Sequence, residues 1–354
     1  MNRIMTLGLG CLVVVGAGCA DNAAGPTRHP IRAATAASPS VPTHPAGVIV
    51  LSAPLAGRPY GLAVSAKNVA YITQLDASRL ARVDLSSGLG FTGSVAVGFI
   101  PTGVAFAQGG QTAWVTNQLS GPSTLGMIDV NANSQVATFA SGGPSGLGGN
   151  MFEVIVGKND NTVYVSSNDQ NVYAFDPETG QVTTTLHLGG QLTDGFAFGE
   201  VAQHPDGVRL YADQIGDGNV AEINTETNTV TRTFHISPGS TRLQGMAVSG
   251  DGSQLYVADE GGVLRVVDIA SGTQVDSVVV GQRAFAVALS PDDAQLYVGV
   301  LDLGLVRVID RASRTIVNTI QLPESGARTR RIAFSVMGET AVIADENGYV
   351  HFVQ

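Results

Sequence analysis

The stretch Gly245–Gly281 reads GMAVSGDGSQLYVADEGGVLRVVDIASGTQVDSVVVG. It holds four apolar runs, Gly245–Ser249, Gln254–Ala258, Val263–Asp268 and Thr273–Val280. Each is rich in Val, Leu, Ile and Tyr, the residues that fit a pleated surface. Asp251-Gly252, Glu260-Gly261-Gly262 and Ser271-Gly272 separate them. Asp-Gly and Ser-Gly tolerate the positive φ of a tight hairpin. The stretch therefore predicts a four-stranded antiparallel meander. Both of its faces are nearly all apolar, so both need a neighbour to cover them.

Copies of the same unit supply the neighbours. The Tyr-Val pair of QLYVADE returns at Tyr71, Trp114, Tyr164, Tyr211, Tyr297 and Val342. The predicted third strand ends at Asp84, Asp129, Asp176, Asn224, Asp268 and Asp310, in steps of 45, 47, 48, 44 and 42 residues. A period in the forties with four strands per copy is the signature of a β-propeller. Predicted first strands begin at Gly61, Gly103, Glu153, Glu200, Gly245, Ala286 and Arg331, which makes seven blades. The seventh copy stops after its third strand, and GVIVLSAPLAG (Gly47–Gly57) resembles the missing fourth. The expected fold is all-β: a seven-bladed propeller of four-stranded antiparallel blades, the last blade closed by the N-terminal strand. Such a latch removes an open seam with an unpaired edge.

The blocks PTGVAFAQGGQTAWVTN (Pro101–Asn117), HPDGVRLYADQ (His204–Gln214), VYAFDPETGQVTTTLHLGG (Val172–Gly190) and SPDDAQLYVGV (Ser290–Val300) resemble the YVTN repeat of seven-bladed bacterial and archaeal propellers. The resemblance runs from about Gly47 to Gln354. It implies the fold. It leaves the activity open, because the family holds binding and surface proteins as well as lactonase-like enzymes.

The N-terminus, MNRIMTLGLGCLVVVGAGCA, reads as an export signal, with Arg3 ahead of an apolar segment too short for a stable span. Gly16-Ala17-Gly18-Cys19 resembles a lipobox, with Gly16 where that pattern has Leu or Val. The expectation is a signal peptide over 1–18, lipidation on Cys19, a disordered Ala/Pro/Ser/Thr-rich tether over 19–46 and the propeller over 47–354. Ordinary cleavage near Ala23–Ala24 is the alternative. Ala20 after the lipid-bearing cysteine resembles an outer-membrane sorting signal. The expected location is thus an exported lipoprotein on the periplasmic face of the outer membrane or at the cell surface. Both cysteines, Cys11 and Cys19, lie in this region, so the ring has no disulfide and no cysteine metal site. A net charge of −10 argues against a nucleic-acid partner.

Function on a propeller usually sits at one mouth of the central channel, where loops on a rigid scaffold converge. The aligned mouth positions include Glu153, Glu200 and Arg331, and Asp194 lies on the same arc as the two glutamates. Three residues earlier in each copy stand Arg58, Arg242, Arg283 and Arg328, an arc of guanidiniums joined by Arg330 and Arg331. Planar guanidinium forks suit a carboxylate or phosphate. Two readings stay open. The arginines bind an anionic group, or each pairs with an acid of the neighbouring loops: Asp259, Glu260, Asp302, Asp345 or Glu346. Glu153 and Glu200 likewise hold a divalent cation such as calcium, act as acid and base, or are tied to Arg331.

No histidine pair has metal-ligand spacing, and no nucleophile elbow or P-loop is present. The leading expectation is a lipid-anchored envelope module that binds a protein, a glycan or a small anionic ligand at the mouth. It would be a monomer without cofactor that touches the membrane only through its lipid. The alternative is a lactonase- or lyase-like hydrolase with a divalent cation at the mouth. There Glu153, Glu200, Asn168 and Asp213 are the nearest matches to a ligand set.

Overall fold

The computed structural model describes residues 41–118, 122–188, 200–214, 218–236 and 242–354. Seven separate four-stranded antiparallel sheets make up the ring. The meander of the opening stretch forms as Leu243–Val248, Gln254–Asp259, Val263–Asp268 and Thr273–Val279. Among the described residues the only helix is a single 3-10 turn, Leu301–Leu303.

Burial follows position in the blade. Second strands are covered on both faces: Val69–Gln74 and Ala341–Asp345 are buried at every residue. Fourth strands such as Thr315–Gln321 are mostly exposed and form the rim. The repeat tyrosines Tyr71, Tyr164, Tyr211, Tyr256 and Tyr297 are among the largest fully buried side chains. Two of their hydroxyls reach the next blade, Tyr71 to Asn133 at 3.1 Å and Tyr164 to Asn228 at 2.7 Å. The periodic Asp has a local task. Asp129 Oδ1 accepts the N–H groups of Asn131 and Ala132, both at 2.9 Å, and Asp176, Asp268 and Asp310 repeat this turn.

The ring closes as the sequence implies. Ile49–Pro54 is the fourth strand of the seventh blade and pairs with Tyr349–Val353, Ser52 opposite His351 and Ala53 opposite Val350. Val48 and Gln354 exchange two backbone hydrogen bonds of 2.9 Å beyond the strand end. Val350 and Phe352 are wholly buried, in one apolar cluster with Ala53 of the latch and Ala70 and Ile72 of blade one. Anchoring begins before Gly47. Thr43 N–H bonds the Met337 carbonyl at 2.8 Å, His44 Nδ1 lies 2.6 Å from Asp292, and the Tyr297 hydroxyl donates to the Pro45 carbonyl at 3.2 Å.

Six inner strands start two residues earlier than the sequence suggests, at Pro59, Pro101, Met151, Leu243, Ala284 and Thr329, and that of blade four spans Val201–Gln203. Each of the six carries one extra residue against its partner at or just before the mouth position, as between Pro59 and Leu62 or Thr329 and Arg331. Such a bulge breaks the ladder and re-aims a side chain. Here it leaves the mouth residue's N–H without a ladder partner, and the second strand answers with a side-chain oxygen. Thr73 Oγ1 accepts Gly61 N–H at 2.6 Å, Thr116 Oγ1 accepts Gly103 at 2.9 Å, Ser166 Oγ accepts Glu153 at 3.1 Å and Asp213 Oδ1 accepts Glu200 at 2.7 Å. Inner strands also approach closely: a Cβ on Gly61 would lie 1.9 Å from the Thr102 carbonyl oxygen.

Candidate functional site

The inner strands of blades three, four and seven bring Glu153, Glu200 and Arg331 together at the channel. Arg331 Nη2 donates to Glu153 Oε2 at 2.8 Å and to Glu200 Oε1. Glu200 is buried and the other two side chains nearly so, at 12%, 8% and 12% exposure for Glu153, Glu200 and Arg331. The Arg331 guanidinium also lies 5.9 Å from the ring centres of Tyr60 and Phe285. Arg330 stands over the same two rings at 4.9 and 4.7 Å. One cation thus bridges two carboxylates across the ring.

Burial pushes Glu200 up to about 7; Arg331 opposes the rise and the Glu153 charge adds to it. Asp213 is raised well above the ordinary aspartate value, by burial first and then by Glu200, against the pull of the N–H bonds it accepts. Its Oδ2 is buried without a hydrogen-bond partner. A cavity of about 170 Å³ adjoins the cluster, lined by Glu153, Glu200, Gly245, Ala286 and Arg331.

The outer arginines settle elsewhere. Arg58, Arg328 and Arg330 converge on one carboxylate, Glu346. Arg328 Nε is at 3.2 Å, Arg330 Nη2 at 2.5 Å, and Arg58 is hydrogen-bonded to the other oxygen. Burial works against the Glu346 charge, but Arg330 and Arg58 outweigh it and hold the group below the usual glutamate value. Arg283 meets Asp302 at 3.1 Å and Glu260 at 3.8 Å. Arg242 is half-buried, and its carbonyl accepts Glu260 N–H at 3.1 Å. So Arg58, Arg283 and Arg328 sit with acids of the neighbouring loops, while keeping 50%, 37% and 40% of their side chains exposed. Asn168 follows the second strand of blade three, Val163–Ser167, its N–H on the Asn150 carbonyl at 3.1 Å. Asp194 and Cys19 lie outside the described residues.

One cluster escaped a search for ligand spacing in the sequence. His351, Asp345 and Glu324 bring one ligand atom each within 4.8 Å of one another in blade seven. A trace was present all the same: ADENGYVHF (Ala344–Phe352) aligns with ADEGGVLRV (Ala258–Val266), placing His351 where blade five has Arg265.

A seven-bladed propeller with a charge-bridged axis is the class that fold and site define. The chain superposes on a solved structure of Kuenenia stuttgartiensis hydrazine synthase with a TM-score of 0.70, over 85% of this chain and 96% of that chain, at 17% identity. At that identity the likeness establishes the fold alone. No family model matches the chain, the YVTN repeat included, and no curated protein matches it.

Proposed function

We propose that this chain is a YVTN-type binding module, held at the cell envelope by a lipid on Cys19, whose mouth rim receives a protein or glycan partner. The observation that carries the reading is the bridged axis. Arg331 is already ion-paired with both Glu153 and Glu200, and the space beside them is about 170 Å³. Pockets that enclose a small ligand typically hold roughly 300–1,000 Å³. The accessible chemistry is instead the rim, where Arg58, Arg283 and Arg328 are half-exposed and pre-oriented by Glu346 and Asp302. Forks of this kind suit carboxylates on a partner surface, so an anionic group is the recognised chemistry.

The ring contains no cysteine, so single cysteines can carry a photocrosslinker without interference. Expected are envelope adducts from Asn347→Cys and Asp76→Cys on the mouth rim, and none from Asp206→Cys or Glu226→Cys on the opposite face. Adducts only from the opposite face would overturn the reading. Loss of incorporated fatty-acid label in Cys19→Ala tests the anchor.

The hydrolase reading keeps one observation in its favour: Glu200, raised to about 7 beside the buried Asp213, resembles a tuned acid–base pair. Against it, a divalent cation would have to displace the buried guanidinium of Arg331. Asp213 also fills the structural place that Thr73, Thr116 and Ser166 fill in other blades. Lactone turnover that needs calcium and disappears in Glu200→Gln would reverse this ranking.

A further inference from the structure

We propose that Glu324, Asp345 and His351 form a divalent-cation site of the zinc class in the seventh blade, separate from the axial cluster. His351 and Asp345 are wholly buried, and Glu324 is 16% exposed, which leaves an approach from the rim. His351 Nε2 lies 3.4 Å from Asp345 Oδ2 and 3.5 Å from Glu324 Oε2. Both are long for N–H···O bonds, which cluster near 2.9 Å. They match the edge of a tetrahedron around an ion bound at about 2.0–2.1 Å, which is about 3.3–3.4 Å.

The remaining atoms of the three groups are arranged as an outer shell. Ser52 Oγ, on the latch strand, lies 2.9 Å from Nδ1. With the Nδ1 proton given to Ser52, Nε2 turns its lone pair toward two carboxylates. Asp345 Oδ1 is taken by the N–H groups of Arg328 at 2.6 Å and Asn347 at 2.9 Å, so Oδ2 is left for the centre. Glu324 Oε2 is buried without a hydrogen-bond partner. In that tautomer three electron-rich atoms face one another, an arrangement that a cation among them would satisfy.

Blade five shows what fills the same place there. Arg265 stands at the position of His351 and Asp259 at that of Asp345, and the guanidinium meets the carboxylate at 2.6 Å. Blade seven keeps the acid, adds Glu324 and exchanges the permanent cation for an imidazole, which is a metal ligand. One imidazole and two carboxylates leave a fourth vertex open, as on zinc centres that hold water or an exogenous ligand.

The full chain, stripped with chelator, is dialysed against zinc and measured for bound metal and melting temperature. Expected is one zinc per chain and a rise in melting temperature. His351→Arg, which copies the residue of blade five, is expected to bind none. Glu324→Gln, near the surface, should weaken binding strongly, and Ser52→Ala, which frees the imidazole, by about 10–100-fold. Calcium, which takes six to eight oxygens, should not compete. Wild-type protein that takes up no zinc at tens of micromolar metal would overturn the proposal. So would a folded His351→Arg variant that binds as much zinc as the parent.

Discussion

Replacing Glu200 by Gln should flatten the pH dependence of stability on one side of neutrality. Glu200 rises from 4.5 to about 7 on folding, chiefly through burial. Below 4.5 the group is protonated in both states and contributes no difference. Between 4.5 and 7 the folded chain holds a proton that the unfolded chain has released, so stability falls as pH rises. Above 7 both states are ionised and the loss is complete. At about 1.4 kcal/mol per pH unit the displacement comes to about 3 kcal/mol. Gln keeps the shape and the amide can still face Arg331, while Glu153 continues to neutralise that guanidinium. Urea denaturation at pH 5 and pH 8, read through the buried Trp114, gives the stability change for each protein. The parent should lose about 2.5 kcal/mol more than Glu200→Gln across that interval, part of the displacement being already lost at pH 5. Every titrating group common to both cancels in the difference, Asp213 apart from its coupling to Glu200. Equal losses in the two proteins would refute the reasoning, and so would a parent that gains stability relative to the variant.

Three further outcomes follow from the packing. Deleting residues 47–57 exposes Val350 and Phe352, which alone costs about 3–6 kcal/mol, so the truncated chain should melt far lower. A truncated protein that melts like the parent would remove the latch from the account. Gly61→Ala drives a methyl group to 1.9 Å from the Thr102 carbonyl oxygen, whereas Gly109→Ala meets nothing within 4 Å. The first should cost more than about 2 kcal/mol and the second less than about 0.5 kcal/mol, measured by the same denaturation. Glu346→Gln leaves Arg58, Arg328 and Arg330 without their shared carboxylate and should cost about 3 kcal/mol, since Arg330 is buried while the other two are half-exposed. Because Glu346 titrates below its usual value, the parent's advantage should persist above pH 4.5 and shrink as pH falls below it. An advantage that holds undiminished at pH 3 would contradict that assignment.

The ring was legible because its cause is local and repeated. A sheet with the sequence Val69–Gln74 in its middle has no polar face to show to water, and turn residues at fixed offsets set where each strand ends. The Asp ending each third strand could be read because its carboxylate serves the N–H groups of the next two or three residues. The axial cluster was legible in membership but not in geometry. Glu153, Glu200 and Arg331 aligned at the mouth, yet whether Arg331 meets both glutamates depends on how far three inner strands lean toward the axis. No bulge is written in the periodicity, so six of the seven inner strands begin two residues before the position that the periodicity marks.

Pairing of the outer arginines needed a finer distinction than blade-by-blade matching provides. Glu346 gathers Arg328 and Arg330 from its own blade but Arg58 from the next one, because the loop after the latch strand runs directly above it. A carboxylate shared with the loop after the latch strand ties that segment to blade seven, where strand pairing and not the chain joins the fourth strand to the third. The His351 cluster lies in the same blade and draws Ser52 from the latch itself. Any ion bound there would therefore tighten the N-terminal strand onto the ring. Removing the latch should abolish zinc uptake along with the seam, and zinc should protect the backbone N–H groups of Ser52 and Ala53 from hydrogen exchange more than those of any blade remote from the seam. Uniform protection around the ring would separate the ion from closure.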